Sequence, residues 1–211
     1  MFLEKSMITL RLTDSIPNIS RDINRAIAEE LNNRARPKII DLTKNIKTLT
    51  FNAIESQPEI QSLRDGILKG AFGIIDSTLA INNIQQSIIN SIDVRFKAFD
   101  DNLRGGVSIN IQPASFSNLL SLQEGFTKYS GGTLHWLEWL LLRGDSVIIV
   151  DYQYNPKIGL GRSNLGNMVG GGSFRVPPQF SGSESDNFIT RALSSEAIES
   201  QISQMLEEVI S

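Results

Sequence analysis

The chain has 211 residues, 40% of them hydrophobic, which suits one domain with a sizeable core and some appendages. A formal net charge of -3 excludes a general electrostatic pull toward nucleic acid or anionic membrane, and the lack of cysteine excludes disulfides and thiolate metal sites. No apolar run approaches the ~20 residues of a membrane span, and Met1-Phe2-Leu3-Glu4-Lys5 does not read as the start of a signal peptide.

In chain order, Met7 to Leu12 alternates as a strand, with Ile8, Leu10 and Leu12 on one side. Asp14, Ser15, Pro17 and Asn18 break it, and Ser20 is placed to cap a helix striped by Ile23, Ile27 and Leu31. Pro37 kinks or ends that helix, and Ile39, Leu42, Ile46, Leu49 and Ala53 continue the stripe. The two stretches make one long bent helix or two shorter ones. Ser56 and Pro58 open a short helix ending near Gly70 or Gly73, and Ile81, Ile84, Ile88 and Ile92 mark another. A hairpin is expected from Asp93–Phe99 and Val107–Ile111 across a turn rich in Asp, Asn and Gly. Ser115–Leu122 reads as a short helix. Thr133 is placed to cap a helix from Leu134 to Arg143 that is apolar nearly all round, and Gly144 ends it. Val147–Val150 reads as a buried strand that Tyr152 and Tyr154 extend. Asp186 or Asn187 starts a short helix to Leu193, and Ser194 or Ser195 starts a last one striped by Ile198, Ile202, Leu206 and Val209.

This order predicts an α+β fold: N-terminal long helices, a small antiparallel sheet, an extended Gly/Pro-rich arm and a C-terminal helix. The expected units are a core over 1–156, the arm over 157–193 and an amphipathic helix over 194–211.

Little in the chain points to catalysis. The one histidine, His135, lies in the apolar 133–142 stretch, where a structural role is the simpler reading. Gly159-Leu-Gly-Arg-Ser-Asn-Leu-Gly lacks the Gly-Lys-Ser/Thr ending of a phosphate loop and has Asn164 where a dinucleotide fingerprint needs glycine. A backbone nest for an anion near Arg162 and Ser163 is a minor alternative. Asp100-Asp101-Asn102 reads as a turn before it reads as a cation site, and Arg143-Gly144-Asp145 as a helix stop before an adhesive tripeptide. No zinc pattern or nucleophile elbow occurs. The enzyme alternative is a hydrolase using carboxylates such as Glu138 and Asp151. No catalytic residue, metal or cofactor is expected.

The arm carries the strongest signal. Glycine, serine and proline dominate it, yet it holds Phe174, Val176, Phe180 and Phe188, which flexible linkers lack. Those side chains need burial, and a neighbouring subunit is the expected place. Gly170–Gly172 would let the arm bend, and Pro177-Pro178 would keep it extended. The two ends of the chain lean oppositely in charge. Arg34, Arg36 and Lys38, near Lys44, form a basic group available to DNA or a partner, while Glu184, Asp186, Glu196, Glu199, Glu207 and Glu208 face only Arg191 at the other end.

Gly172-Ser-Phe-Arg-Val-Pro-Pro-Gln-Phe-Ser-Gly, then Asp186-Asn-Phe-Ile-Thr-Arg-Ala-Leu, resembles segments of tailed-bacteriophage virion structural proteins. Gly161-Arg162-Ser163 and Met168 belong to the same stretch. Size and layout are most similar to neck or tail-completion proteins such as the tail terminator. The resemblance implies a homo-oligomeric ring joining head connector and tail, made in the host cytoplasm and located in the virion. It implies contacts with connector and tail proteins and non-specific DNA passage, without a membrane. Head-completion, tail and baseplate proteins are the alternatives. Arg162, Met168, Phe174, Arg175, Val176, Phe180, Phe188 and Arg191 are then the expected subunit-interface residues. The long N-terminal helical region exceeds what a minimal terminator requires.

Overall fold

A computed structural model describes residues 14–129 and 131–210 of the chain. The strand expected at Met7–Leu12 lies outside the described residues. The fold is α+β, as the element order predicts: a long first helix, small antiparallel sheets and a C-terminal helix.

Helix α1 runs unbroken over Ile16–Glu55, 40 residues. No glycine interrupts this span, and Pro17 fits the first turn, where an amide hydrogen has no intrahelical partner. The start is Ser15 rather than Ser20. Pro37 lies inside the helix and is exposed, so the carbonyl left without its amide donor can be hydrated. Burial along α1 is uneven. Leu42, Ile46, Thr50 and Ile54 are buried in the second half, but only Ala28 and Ala35 before them.

Helices α2 (Pro58–Asp65) and α3 (Ile67–Phe72) divide at Gly66, where one helix was expected. Helix α4 (Ser77–Ser91) is capped by the Asp76 carboxylate, which accepts from the Leu79 amide at 2.8 Å. Strands β1 (Asp93–Lys97) and β2 (Gly106–Asn110) form the expected hairpin, with Asp93 opposite Asn110. Helix α5 (Ser117–Leu120) follows. Next comes a second hairpin, β3 (Thr127–Tyr129) with β4 (Gly132–Leu134), which the sequence reading missed. Thr133 is therefore in a strand and not a cap. Helix α6 (Trp136–Leu141) begins after His135.

The largest correction concerns the arm. Strand β5 (Val147–Asn155) pairs antiparallel with β6 (Asn167–Arg175), so the boundary expected between 156 and 157 falls in the turn of one hairpin. Instead of one small sheet, the described residues form three separate two-stranded sheets. Val147 and Val150 are exposed, so β5 is not the buried strand expected. Helices α7 (Phe188–Leu193) and α8 (Glu196–Ile210) end the fold.

Two apolar clusters hold these elements. The larger joins the end of α1, α2, α3, α4, α6 and α7 around Trp136, which stacks on Phe72 at a centroid distance of 5.8 Å. The indole Nε1 of Trp136 donates to the Glu124 carbonyl at 2.9 Å, so its polar atom is satisfied in the core. The smaller cluster joins the middle of α1, the β1–β2 hairpin and α8 through Ala35, Leu42, Ile46, Ile92 and Val209.

Candidate assembly surfaces

The anchors expected to reach a neighbour are held at home. Phe174, Val176 and Phe188 are buried in their own chain at 4%, 0% and 0% exposure, and Phe174 meets Phe72 edge-on at 6.3 Å. Phe180, in a single 3-10 turn after Pro177, is half-buried against the same cluster. Met168 lies opposite Tyr154 in the hairpin, and both pack on the core. The physical reason is pairing. Once β6 is laddered to β5, Phe174 lies opposite Ile149 and is carried onto the core face. Phe174, Val176 and Phe188 are therefore core residues of their own chain and not free anchors, while Met168 and Phe180 are partly buried beside them.

Arg191 is committed too. Its guanidinium donates to Asp186 Oδ1 at 2.7 Å and to Glu59 Oε1. Arg175 is exposed opposite Val147, and Arg162 is exposed on a loop. Of the basic group, Arg34 pairs with Glu30 at 2.6 Å, and Lys38 Nζ donates to the Glu208 carbonyl at 2.6 Å, tying α1 to α8. Arg36 is exposed on α1. Arg34 is thus tied to its own helix and Lys38 to α8.

Two carboxylates are shaped by burial. Glu59 is fully buried on α2, and its Oε2 has no hydrogen-bond partner among the described residues. Loss of water raises its pKa, against the lowering influence of its own backbone amide and of Arg191. Asp100 shows the opposite case. Its Oδ1 accepts from the Arg104 and Asn102 amides at 2.9 Å each, and chiefly the Arg104 bond lowers its pKa. That oxygen serves the turn, and Asp101 pairs with Arg25 at 3.2 Å.

His135 sits at the start of α6 with its ring stacked on Phe126, 4.0 Å between centroids. Its Nδ1 lies 3.5 Å from Glu138 Oε2, and Nε2 is buried without a partner among the described residues. Burial lowers its pKa, only partly opposed by Glu138. Glu138 also accepts from Arg143, at 2.6 Å. Asp151 is exposed on β5, so the two carboxylates of the hydrolase reading have different surroundings. The Gly159–Gly166 loop folds on itself, with the Gly161 amide donating to the Gly166 carbonyl at 2.6 Å, so that amide is not free for an anion. Among the described residues no group of three His, Cys, Asp or Glu is placed to hold a metal ion.

What the fold does expose is apolar. The ends of the β5–β6 hairpin pack on the core, but its middle bows outward. Asp151, Gly171 and Gly172 take positive φ values of 66°, 95° and 77°, and the register shifts between Val150 and Tyr152. Val150 is left 68% exposed and Tyr152 50% exposed beside bare glycine backbone. A second feature is a cleft of about 220 Å³ between the β3–β4 and β5–β6 hairpins, floored by Phe72, Met168 and Phe174. It shares Gly73, Thr127 and Arg162 with an adjoining groove of about 250 Å³, lined by Ile75, Leu79 and Phe126. Ile75 is 73% exposed there. The third is the first half of α1, where Ile16, Ile23 and Ile27 are exposed on one side.

The sequence reading missed the cleft. One signal was available: in Ile74-Ile75, just before the Asp76 cap, neighbouring side chains diverge, so only one can enter the core.

No protein-family model, curated protein or solved structure matches the chain. Among the described residues no helix is long and apolar enough to cross a membrane.

Proposed function

We propose that this chain is a structural subunit that works by binding copies of itself, as a ring in the neck or tail-proximal part of a tailed-phage particle, between head connector and tail. The observation that carries the self-binding part is the arched hairpin, where Val150 and Tyr152 stand in water on a two-stranded sheet with open edges. The exposed α1 stripe and the apolar cleft add separate faces, as head-to-tail contacts need. The position in a phage particle rests on the resemblance of the 159–193 stretch alone. The docking groups differ from those the resemblance implied, because Phe174, Val176 and Phe188 fill the core. The net charge of -3 fits passage of DNA through a ring without adhesion.

Light scattering coupled to gel filtration tests the reading. The expected mass is a multiple of 23.4 kDa that grows with loading concentration toward a closed ring. A monomer at every concentration into the hundred-micromolar range, alone and with particle extracts, overturns it.

A further inference from the structure

The outward bow of the β5–β6 hairpin and the cleft beside it are complementary in polarity and charge. We propose that Tyr152 of one copy seats in the cleft of the next, with Asp151 of the first paired to Arg162 of the second. The inference rests on the self-assembly reading and names the two surfaces that meet.

The bow is a slim insert with one large ring on it. Residues 150–153 are all exposed, and so are residues 170–173 of the paired strand. Tyr152 lies opposite Gly170 and Val150 opposite Ser173, with Gly171 and Gly172 between those pairs. The glycines contribute backbone only, so the bulky side chains of the bow all come from β5. Tyrosine gives a large, stiff contact area with two side-chain torsions to fix, which is why it serves so often as an interface anchor. Asp151 takes a φ of 66°, a left-handed conformation that aspartate tolerates better than most residues, and it sets a carboxylate between Val150 and Tyr152.

The cleft has the converse character. Its floor of Phe72, Met168 and Phe174 is apolar, and among the described residues that line it Arg162 alone is charged. Asp151 and Arg162 each lack a side-chain hydrogen bond or ion pair among the described residues. Each is exposed in the single chain, and covering either one without an opposite charge would leave it uncompensated. Arginine also matches a carboxylate in a fork of two parallel hydrogen bonds. Size agrees. The cleft holds about 220 Å³, whereas an apolar cavity of ~150 Å³ takes up benzene, so the Tyr152 ring has room. Thr127 and Asn167 on the lining offer polar atoms to the phenol hydroxyl, which needs a partner once water is excluded. None of residues 150–153 lines the cleft of its own chain, so the occupant comes from another copy. Each copy carries one bow and one cleft, and a contact between the two unlike surfaces passes from copy to copy until a ring closes.

Charge reversal tests the contact in the purified full chain, read by concentration-dependent light scattering. Asp151→Arg and Arg162→Asp are each expected to weaken self-association at least about tenfold with unchanged circular dichroism, because each sets like charges against one another. Mixed in equal amounts, the two variants are expected to associate again. Asp151 of one then meets Arg162 of the other, and the two substituted side chains oppose each other likewise. A mixture as weak as either variant alone overturns the inference. Recovery that stops at a dimer supports the contact and removes the ring. If the parent is an oligomer and both single variants associate as it does, the inference falls and the self-assembly reading stands. A parent that is monomeric throughout removes both. As a second measurement, Tyr152→Ala is expected to weaken association at least about tenfold with an unchanged thermal midpoint, while Tyr152→Phe, which keeps the ring, stays closer to the parent. Full association of Tyr152→Ala overturns the inference.

Discussion

Glu59 is a carboxylate the fold has to accommodate rather than one it displays. It is fully buried, one oxygen bonds Arg191 and the other has no partner among the described residues. Its pKa is raised, chiefly by desolvation. The native state therefore binds its proton more readily than the unfolded chain does. Stability contributed through this group is present at low pH and is lost as pH rises through the folded pKa. Glu59→Gln keeps the shape and removes the titration. The variant is expected to be at least as stable as the parent at pH 7, with the difference shrinking as pH falls into the carboxylate range. Urea midpoints measured at several pH values check this, and a variant that is less stable at pH 7, with a deficit that shrinks as pH falls, would show the Arg191 pair to dominate instead. Composition cannot announce this group. Glu59 looks like an ordinary first-turn acid on a short helix, and only the tertiary fold, which brings Arg191 of α7 against it, buries it.

At the scale of elements, legibility followed the range of the interactions. The β1–β2 hairpin and the Asn187 start of α7 were legible because caps and turns are decided within a few residues. Asn187 accepts from the Thr190 amide while the Thr190 hydroxyl answers the Asn187 amide, a reciprocal pair written in four residues. The arm was misread because its partner is distant and its glycines hide strand alternation. Two bulges break the period between Val147 and Tyr152, so β6 carries no regular apolar pattern. Gly182 shows how firmly this stretch is fixed. A Cβ there would sit 2.0 Å from the Leu140 carbonyl oxygen, and its own carbonyl accepts from the Gly144 amide at 2.8 Å. In a free arm Gly182→Ala would be neutral or slightly stabilising. In this fold it is expected to destabilise by about 1–3 kcal/mol, toward the upper end because the atom met is backbone. Chemical denaturation distinguishes the two, and a neutral result would restore the arm.

For the whole molecule, the same stretch from 147 to 193 separates what folds the chain from what it offers to others. Phe174 and Val150 lie one strand apart and have opposite fates. Phe174 is 4% exposed and stacks edge-on against Phe72, whereas Val150 is 68% exposed on the outward bow of the hairpin. Phe174→Ala should lower unfolding free energy by about 3–5 kcal/mol, as for other buried aromatics, and should impair assembly only through loss of the fold. Val150→Asp should leave stability within about 0.5 kcal/mol, because the site is exposed and holds no special contact. If the bow is a subunit contact, the same substitution puts a charge into an apolar interface. It should then weaken self-association about tenfold or more, equivalent to about 1.4 kcal/mol. Denaturation midpoints and concentration-dependent light scattering on both variants give the answer. Loss of assembly with retained stability in Val150→Asp places the contact on the hairpin. Retained assembly removes the hairpin from the interface and leaves the α1 stripe and the cleft to account for any oligomer.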